Sequence, residues 1–257
     1  FEYLLTKMYA HHLGEIRNVA ESLHNELNCV IPAFVKRAND KYGKSMQEYI
    51  SETNKGVGSF VKANIPADNR EGSEEVELID YDNEAEVKVL SAMIYSQTNL
   101  PLSQIKRIVS GMSEMQKTEL VEAYLGKRQN RRHKAGRALE NCYYRFDICT
   151  NYGAYRDLQR HRVLTQEPQD LTVVHGYDIP NEIVEAGFEK DFRDCMKAVE
   201  NAYYKIYRKY PKEAQYVVAL GYRIRWYISL NLREVCHLTE LRSMQQGHPD
   251  YRRVAQN

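Results

Sequence analysis

A chain of 257 residues, 43% hydrophobic and 28% charged with 13 Gly and 7 Pro, has a globular profile, which excludes a disordered, fibrous or membrane-embedded protein. Lys and Arg total 36 against 35 Asp and Glu, a formal net charge of +1, so no global field draws the chain to nucleic acid or acidic lipid. Apolar runs last only a few residues, too short for a membrane-spanning helix. No basic and then apolar leader follows Phe1, and an opening without Met reads as a piece of something longer. Cys29, Cys142, Cys149, Cys195 and Cys236 are scattered and form no C-x-x-C pair, which argues against zinc and fits a reducing compartment, the cytoplasm. Twenty tyrosines against six Phe and one Trp suit half-wet interfaces and ligand pockets, because the ring wants burial and the hydroxyl wants a polar partner.

Periodicity near 3.6 predicts a helix over 1–27, carried by Tyr3, Leu4, Met8, Leu13, Ile16, Val19, Ala20 and Leu23. A second helical pattern covers about 31–53, giving a helical segment 1–53. Breakers at Asn54–Gly58 and Ile65–Ser73 make 54–74 a predicted linker, with the main domain over 75–257. Val76–Asp80 then reads as a short strand, followed by a helix over about 83–97 with Asp82 or Asn83 as its cap. Pro101 starts one helix, and Ser113 opens another running to Leu125. Asn141–Cys149 is predicted as a strand, Tyr152–Arg160 as a short helix and Leu171–Val174 as a possible strand. Asn181 is the expected cap of one long helix over about 182–209, stopped by Pro211. Tyr222–Leu230 alternates as a strand would, and a last helix covers about 231–246. The order predicts an α+β fold with a small mixed sheet and long helices. His12–Arg17 is echoed by His237–Arg242 at an offset of 225, which suggests a duplicated domain and makes 1–27 the end of a preceding copy.

Three clusters carry chemistry. Arg160 and Arg162 flank His161 at a helix-to-loop boundary. Arginine forks match phosphate oxygens and stack on flat rings, so the trio suits a dinucleotide; a solvated basic helix end explains it equally well. Arg233 and His237 are four apart on a predicted helix, able to converge on an anionic ligand or to pair with Glu234 or Glu240. Lys127–Lys134 holds five Lys/Arg in eight residues with no interleaved aromatics, which fits an anionic substrate tail, nucleic acid or plain exposed loop charge. No G-x-G-x-x-G, P-loop, G-x-S-x-G or H-E-x-x-H occurs.

The run Arg160-His161-Arg162 resembles the Arg-His-Arg motif of the flavin-dependent thymidylate synthases. Glu140 with the strand after it is similar to the family's Phe-Glu-His stretch, and Asn231-Leu232-Arg233 with His237 resembles its closing helix. The resemblance covers about 75–250. It implies a flavin-dependent thymidylate synthase-like fold, a homotetramer (or a pseudo-tetramer of repeats) and sites built between subunits. It further implies FAD as cofactor, with methylenetetrahydrofolate giving the carbon and NADPH the electrons to methylate deoxyuridylate in nucleotide biosynthesis. By the same resemblance Arg160, His161, Arg162, Asn231 and His237 hold FAD, Arg233 meets and polarises the base as the catalytic residue, and Glu140, Thr165 and Asp170 lie at the substrate. The motif's second half departs from the family: Asp170 stands where the family has Ser, and Thr172 where an Arg would pair with phosphate. Three readings follow: a flavoenzyme of this family, a non-catalytic structural copy of the fold, or a nucleic-acid module on Lys127–Lys134, against which the balanced charge argues.

Overall fold

The structure, a computed structural model, describes residues 1–66 and 74–257. The chain divides into two compact units, Phe1–Gly72 and Ser73–Asn257.

The first unit is helical. Helices α1 (Glu2–Tyr9), α2 (Gly14–Val30) and α3 (Lys41–Asn64) enclose a small core of Leu5, Val35 and Ala38, joined by Tyr9, Leu23 and Leu27. The predicted 1–27 helix is broken at 10–13, where the Arg17 guanidinium donates to the carbonyls of His11 (2.6 Å) and His12 (2.9 Å). The predicted 31–53 helix instead starts late. Pro32 stops α2, two 3-10 turns follow, and Asp40 caps α3 by accepting from the N–H groups of Tyr42 and Gly43. Gly43 is required there, since a Cβ would lie 2.1 Å from the Arg37 carbonyl oxygen. The linker expected from 54 is helical as far as Asn64 despite Gly56 and Gly58, and 67–73 lie outside the described residues. The echoed residues also differ in structure, for His12 and Leu13 lie in the helix break whereas His237–Arg242 sit inside a helix. At the same offset helical Glu2–Leu5 match strand residues Tyr227–Leu230.

The second unit is built on four strands, β1 (Val76–Tyr81), β2 (Tyr143–Asn151), β3 (Leu164–Pro168) and β4 (Arg223–Asn231), in the order β1-β2-β4-β3 with every pairing antiparallel. The predicted mixed sheet is therefore purely antiparallel. On β4 the alternation is complete: Ile224, Trp226, Ile228 and Leu230 face inward under α7 (Tyr152–Leu158), α10 (Leu232–Arg242) and α11 (Pro249–Gln256). Burying four such side chains contributes on the order of 6–12 kcal/mol before entropy. A second core joins α4 (Ala85–Tyr95), α5 (Leu102–Ser110) and α6 (Glu114–Leu125), the last opened by a Ser113–Gln116 capping box.

Three expectations fail here for readable reasons. Leu171–Val174 is not a strand; Val173 packs in a third core with Met196, Tyr203 and Tyr222, while the fourth strand is β3, whose single Leu among polar residues hides an edge strand ended by Pro168. The long 182–209 helix is two, α8 (Asn181–Glu185) and α9 (Glu189–Tyr207). Gly187 at φ +80° closes α8, with the Phe188 N–H on the Ile183 carbonyl and its own N–H on that of Val184. The last predicted helix stops at Arg242, and α11 follows it. Neither Asp82 nor Asn83 caps α4: the N-cap is Glu84 without a side-chain cap bond, and Asp82 instead accepts from the Glu84 N–H at 3.0 Å in the turn before the helix.

Register puts the site at one end of this sheet. Tyr143, where β2 begins, faces Asn231, where β4 ends, and Leu164 at the start of β3 faces Leu230. The segments leading into β2 and β3 and the corner from β4 into α10 thus arrive together.

Candidate functional site

His161 is the anchor of that junction, with a side chain only 3% exposed. Its Nδ1 lies 2.7 Å from Glu234 Oε1, and its Nε2 lies 3.0 Å from Arg242 Nε. An arginine N–H can only donate, so Nε2 must present its lone pair and the ring proton sits on Nδ1, donating to Glu234. Burial first, and then the charges of Arg242 and His237, push the imidazole below its ordinary pKa of 6.5 against the pull of Glu234. Burial wins, and the ring is a neutral bridge between two elements. Glu234 is itself placed by the corner, since its backbone N–H donates to the Asn231 side chain at 2.9 Å, the cap of α10.

The ring holds the 160–163 segment down, and the two arginines beside it stay on the surface. Arg160 reaches only Asp157, at 3.2 Å, and Arg162 is exposed with no hydrogen bond or ion pair among the described residues. Next to them opens a cleft of about 190 Å³ lined by Arg128, Arg131, Lys134, Glu140, Val163, Asn231, Arg233, Glu234, Cys236, His237 and Glu240, with Ala135 at its wall. Arg233 spans it, with Nη1 2.6 Å from Glu140 Oε1 and Nε donating to the Ala135 carbonyl oxygen at 2.8 Å. Hydrogen bonding from Arg137 first, and from Arg233, holds the Glu140 carboxyl below its ordinary range. His237 stands exposed, its ring centroid 5.4 Å from that of His161.

The structure thus gathers Glu140, His161, Asn231, Arg233 and His237 at one junction, whereas Arg160 and Arg162 lie on the surface beside His161 and do not line the cleft. Thr165 is exposed on β3 opposite Ser229 and does not line the cleft. Asp170 lies away from it, in an ion pair with Lys212 at 2.5 Å. Sequence reasoning missed Arg242 and gave Glu234 and Glu240 only ordinary pairing within the helix. In the structure Glu234 meets His161, and Glu240 meets Arg128 at 2.8 Å. That contact brings the basic stretch into the cleft wall. The signal was present as two acids and an arginine on one helix, but their partners lie far off in sequence.

His161, Glu234 and His237 place ligand-type atoms within 4.8 Å of one another, a set that could hold a metal ion by residue type. Arg242 opposes this use. It puts a fixed cation 3.0 Å from the ring and keeps a proton on the nitrogen that faces Glu234.

Antiparallel sheet, edge strand and closing helix define a thymidylate synthase-type α+β fold. The chain superposes on the UMP/dUMP methylase PolB of Streptomyces cacaoi, bound with 5-Br dUMP, with a TM-score of 0.57 at 15% identity, covering 70% of this chain and 86% of that one. It superposes on the flavin-dependent thymidylate synthase ThyX of Helicobacter pylori, complexed with FAD and dUMP, at 0.50 and 20% identity, covering 71% and 91%. Residues 77–257 match the sequence family described as thymidylate synthase complementing protein, and the chain is a divergent member of that family. Curated relatives include UPF0159 proteins of Chlamydia pneumoniae and Chlamydia muridarum, 34% and 37% identical over 99% of this chain, and one of Thermoplasma acidophilum at 33% over 99%. The chain spans about half their length, 48%, 49% and 50% respectively. No helix among the described residues is long and apolar enough to cross a membrane.

Proposed function

We propose that this chain supplies part of a flavin-dependent, thymidylate synthase-type site that methylates deoxyuridylate or a related pyrimidine nucleotide. The carrying observation is the buried Glu234–His161–Arg242 bridge, which anchors the 160–163 segment beside a cleft lined by its Val163 and by Arg128, Arg131, Lys134 and Arg233. That donor set fits an anionic dinucleotide such as FAD: guanidinium forks for phosphate oxygens, and His237 with the Asn231 corner for a ring edge. The cleft, about 190 Å³, falls below the ~300 Å³ at which pockets begin to enclose a drug-sized ligand. A second copy of the chain, or the remainder of a longer protein, therefore completes the site in this reading.

Bound FAD, when reduced, supplies the hydride, with NADPH as electron source and methylenetetrahydrofolate as carbon donor. The chain's own residues bind and orient. Arg160 and Arg162 neutralise cofactor phosphates. Glu140 and the Ala135 carbonyl hold Arg233 by two of its N–H groups, so its remaining donors aim at charge that develops on a pyrimidine carbonyl oxygen.

Asp170 favours a second reading, a structural copy that lacks its own phosphate pocket. This carboxylate is paired with Lys212 away from the cleft, so the position that resembles the family's phosphate-side Ser supplies no phosphate contact there. Mass-spectrometric assay of the complete protein with FAD, NADPH, methylenetetrahydrofolate and deoxyuridylate separates the two. Thymidylate that disappears on Arg233→Ala supports the enzyme, and its absence supports the structural copy.

A further inference from the structure

The end of α9 carries a feature unrelated to that cleft. Residues 201–212 contain Lys205, Arg208, Lys209 and Lys212 and not one Asp or Glu, a local excess that the balanced total conceals. Lys212 is engaged by Asp170, whereas Lys205, Arg208 and Lys209 are exposed and make no ion pair among the described residues. Three tyrosines interleave with them, each with a large share of its surface in water: Tyr204 at 43%, Tyr207 at 48% and Tyr210 at 48%. Tyr204, Tyr207 and Arg208 are spaced to share one helix face, and Lys205 with Lys209 lie one strip over.

The rings are held in place. Tyr203 is buried, with 3% of its surface exposed, and forms the wedge: Tyr207 stacks on it at 5.5 Å and 24°, and Tyr204 meets it edge-on at 5.5 Å. Lys209 lies 5.1 Å from the Tyr210 ring centroid. A ring already stacked on a buried neighbour loses little freedom when a second flat group settles on its open side. Cations on the same face would meet the phosphates between successive bases.

We propose that this surface, Tyr204 to Tyr210 at the end of α9, binds single-stranded nucleic acid by stacking bases on its exposed tyrosines and pairing phosphates with Lys205, Arg208 and Lys209. The favoured partner is a single strand rather than a duplex, because exposed rings have no unstacked base to meet on paired DNA. The inference stands whether or not the cleft is a flavin site.

The test is fluorescence anisotropy of labelled 15-nucleotide oligo(dT) and oligo(rU), with duplex DNA, heparin and anionic vesicles as comparison ligands. With three phosphates contacted, raising salt from 50 to 200 mM weakens single-strand binding about 20-fold. Tyr204→Ala and Tyr210→Ala each weaken it about ten-fold when measured well below the Tm of each variant, where the fold is intact. The triple variant Lys205→Gln/Arg208→Gln/Lys209→Gln abolishes the salt dependence, while Arg162→Ala leaves binding unchanged. No binding at 50 mM salt overturns the proposal. So does binding that survives the tyrosine variants, or heparin or vesicle binding as tight as that of the single strands, since each of these reports charge alone. Binding that keeps its full salt dependence in the triple variant places the phosphate contacts elsewhere and equally overturns it.

Discussion

Replacing Arg242 by methionine removes one hydrogen bond and one charge from a buried histidine while keeping most of the side-chain volume. Nε2 of His161 loses its donor at 3.0 Å, and the ring is too buried for water to replace it. An orphaned buried acceptor costs about 1–3 kcal/mol. Losing the guanidinium from above the Tyr251 ring, 5.5 Å from its centroid, adds about 0.5–1 kcal/mol. At pH 8 the expected destabilisation is therefore about 1.5–4 kcal/mol, a fall in Tm of about 3–16 °C for a domain of this size. The pH dependence gives a second signature. In the native chain burial, and then Arg242, depresses the pKa of His161 below 6.5. The unfolded chain thus takes up a proton that the folded chain refuses as pH drops below 6.5, and stability falls there, by at most about 1.4 kcal/mol per pH unit. Without Arg242 the folded pKa rises and this acid limb flattens, so the gap between native chain and variant narrows from pH 8 to pH 5. Calorimetric melts at both pH values make the comparison. Equal Tm values at pH 8, or a gap that stays constant down to pH 5, would refute the bridge as drawn.

Three further outcomes are expected. Asn231→Ala removes the side-chain acceptor that caps α10 and lowers stability by about 1 kcal/mol in urea denaturation, whereas Asn231→Asp keeps the acceptor and restores it; equal loss in both would count against the cap. Gly187→Ala forces a Cβ into φ +80° at the end of α8 and costs about 1 kcal/mol or more, read as a lower urea midpoint with unchanged slope; a midpoint at or above the native one would contradict the turn. Glu140 is held below the ordinary carboxylate range, so it contributes stability at neutral pH that is lost as pH falls through its folded pKa. Glu140→Gln therefore flattens the acid limb between pH 5 and pH 3, and parallel limbs in the two proteins would be the contrary result.

Strand β4 was readable because one inward face alternates cleanly from Ile224 to Leu230, β2 because a β-rich run lies between polar residues, and α6 because Ser113 and Gln116 form a local capping signature. The breaks were not. Arg17 secures the gap at 10–13 through carbonyls five and six residues back, which leaves the hydrophobic period undisturbed. Gly187 sat inside a continuous helical pattern whose apolar spacing gave no warning of the turn. Edge strand β3 buries too little to carry an alternating pattern. The same division runs through the site. Arg160, His161 and Arg162 stand out as a cluster, but the separate part of His161 depends on Glu234 and Arg242, 73 and 81 residues away. Only pairing of β2, β3 and β4 brings such distant segments together, and spacing along the chain carries no trace of it.

The central claim is the proposal that Arg160 and Arg162, carried on either side of the buried His161, bind flavin. Its most direct test is the visible spectrum of the complete protein after soaking with FAD and desalting, taken for the native chain and for Arg162→Ala. The account predicts retained flavin absorption in the native protein and its loss in the variant with an unchanged Tm, since Arg162 is exposed and makes no hydrogen bond or ion pair among the described residues. A native protein that takes up no flavin, or a variant that retains as much as the native chain, would contradict it.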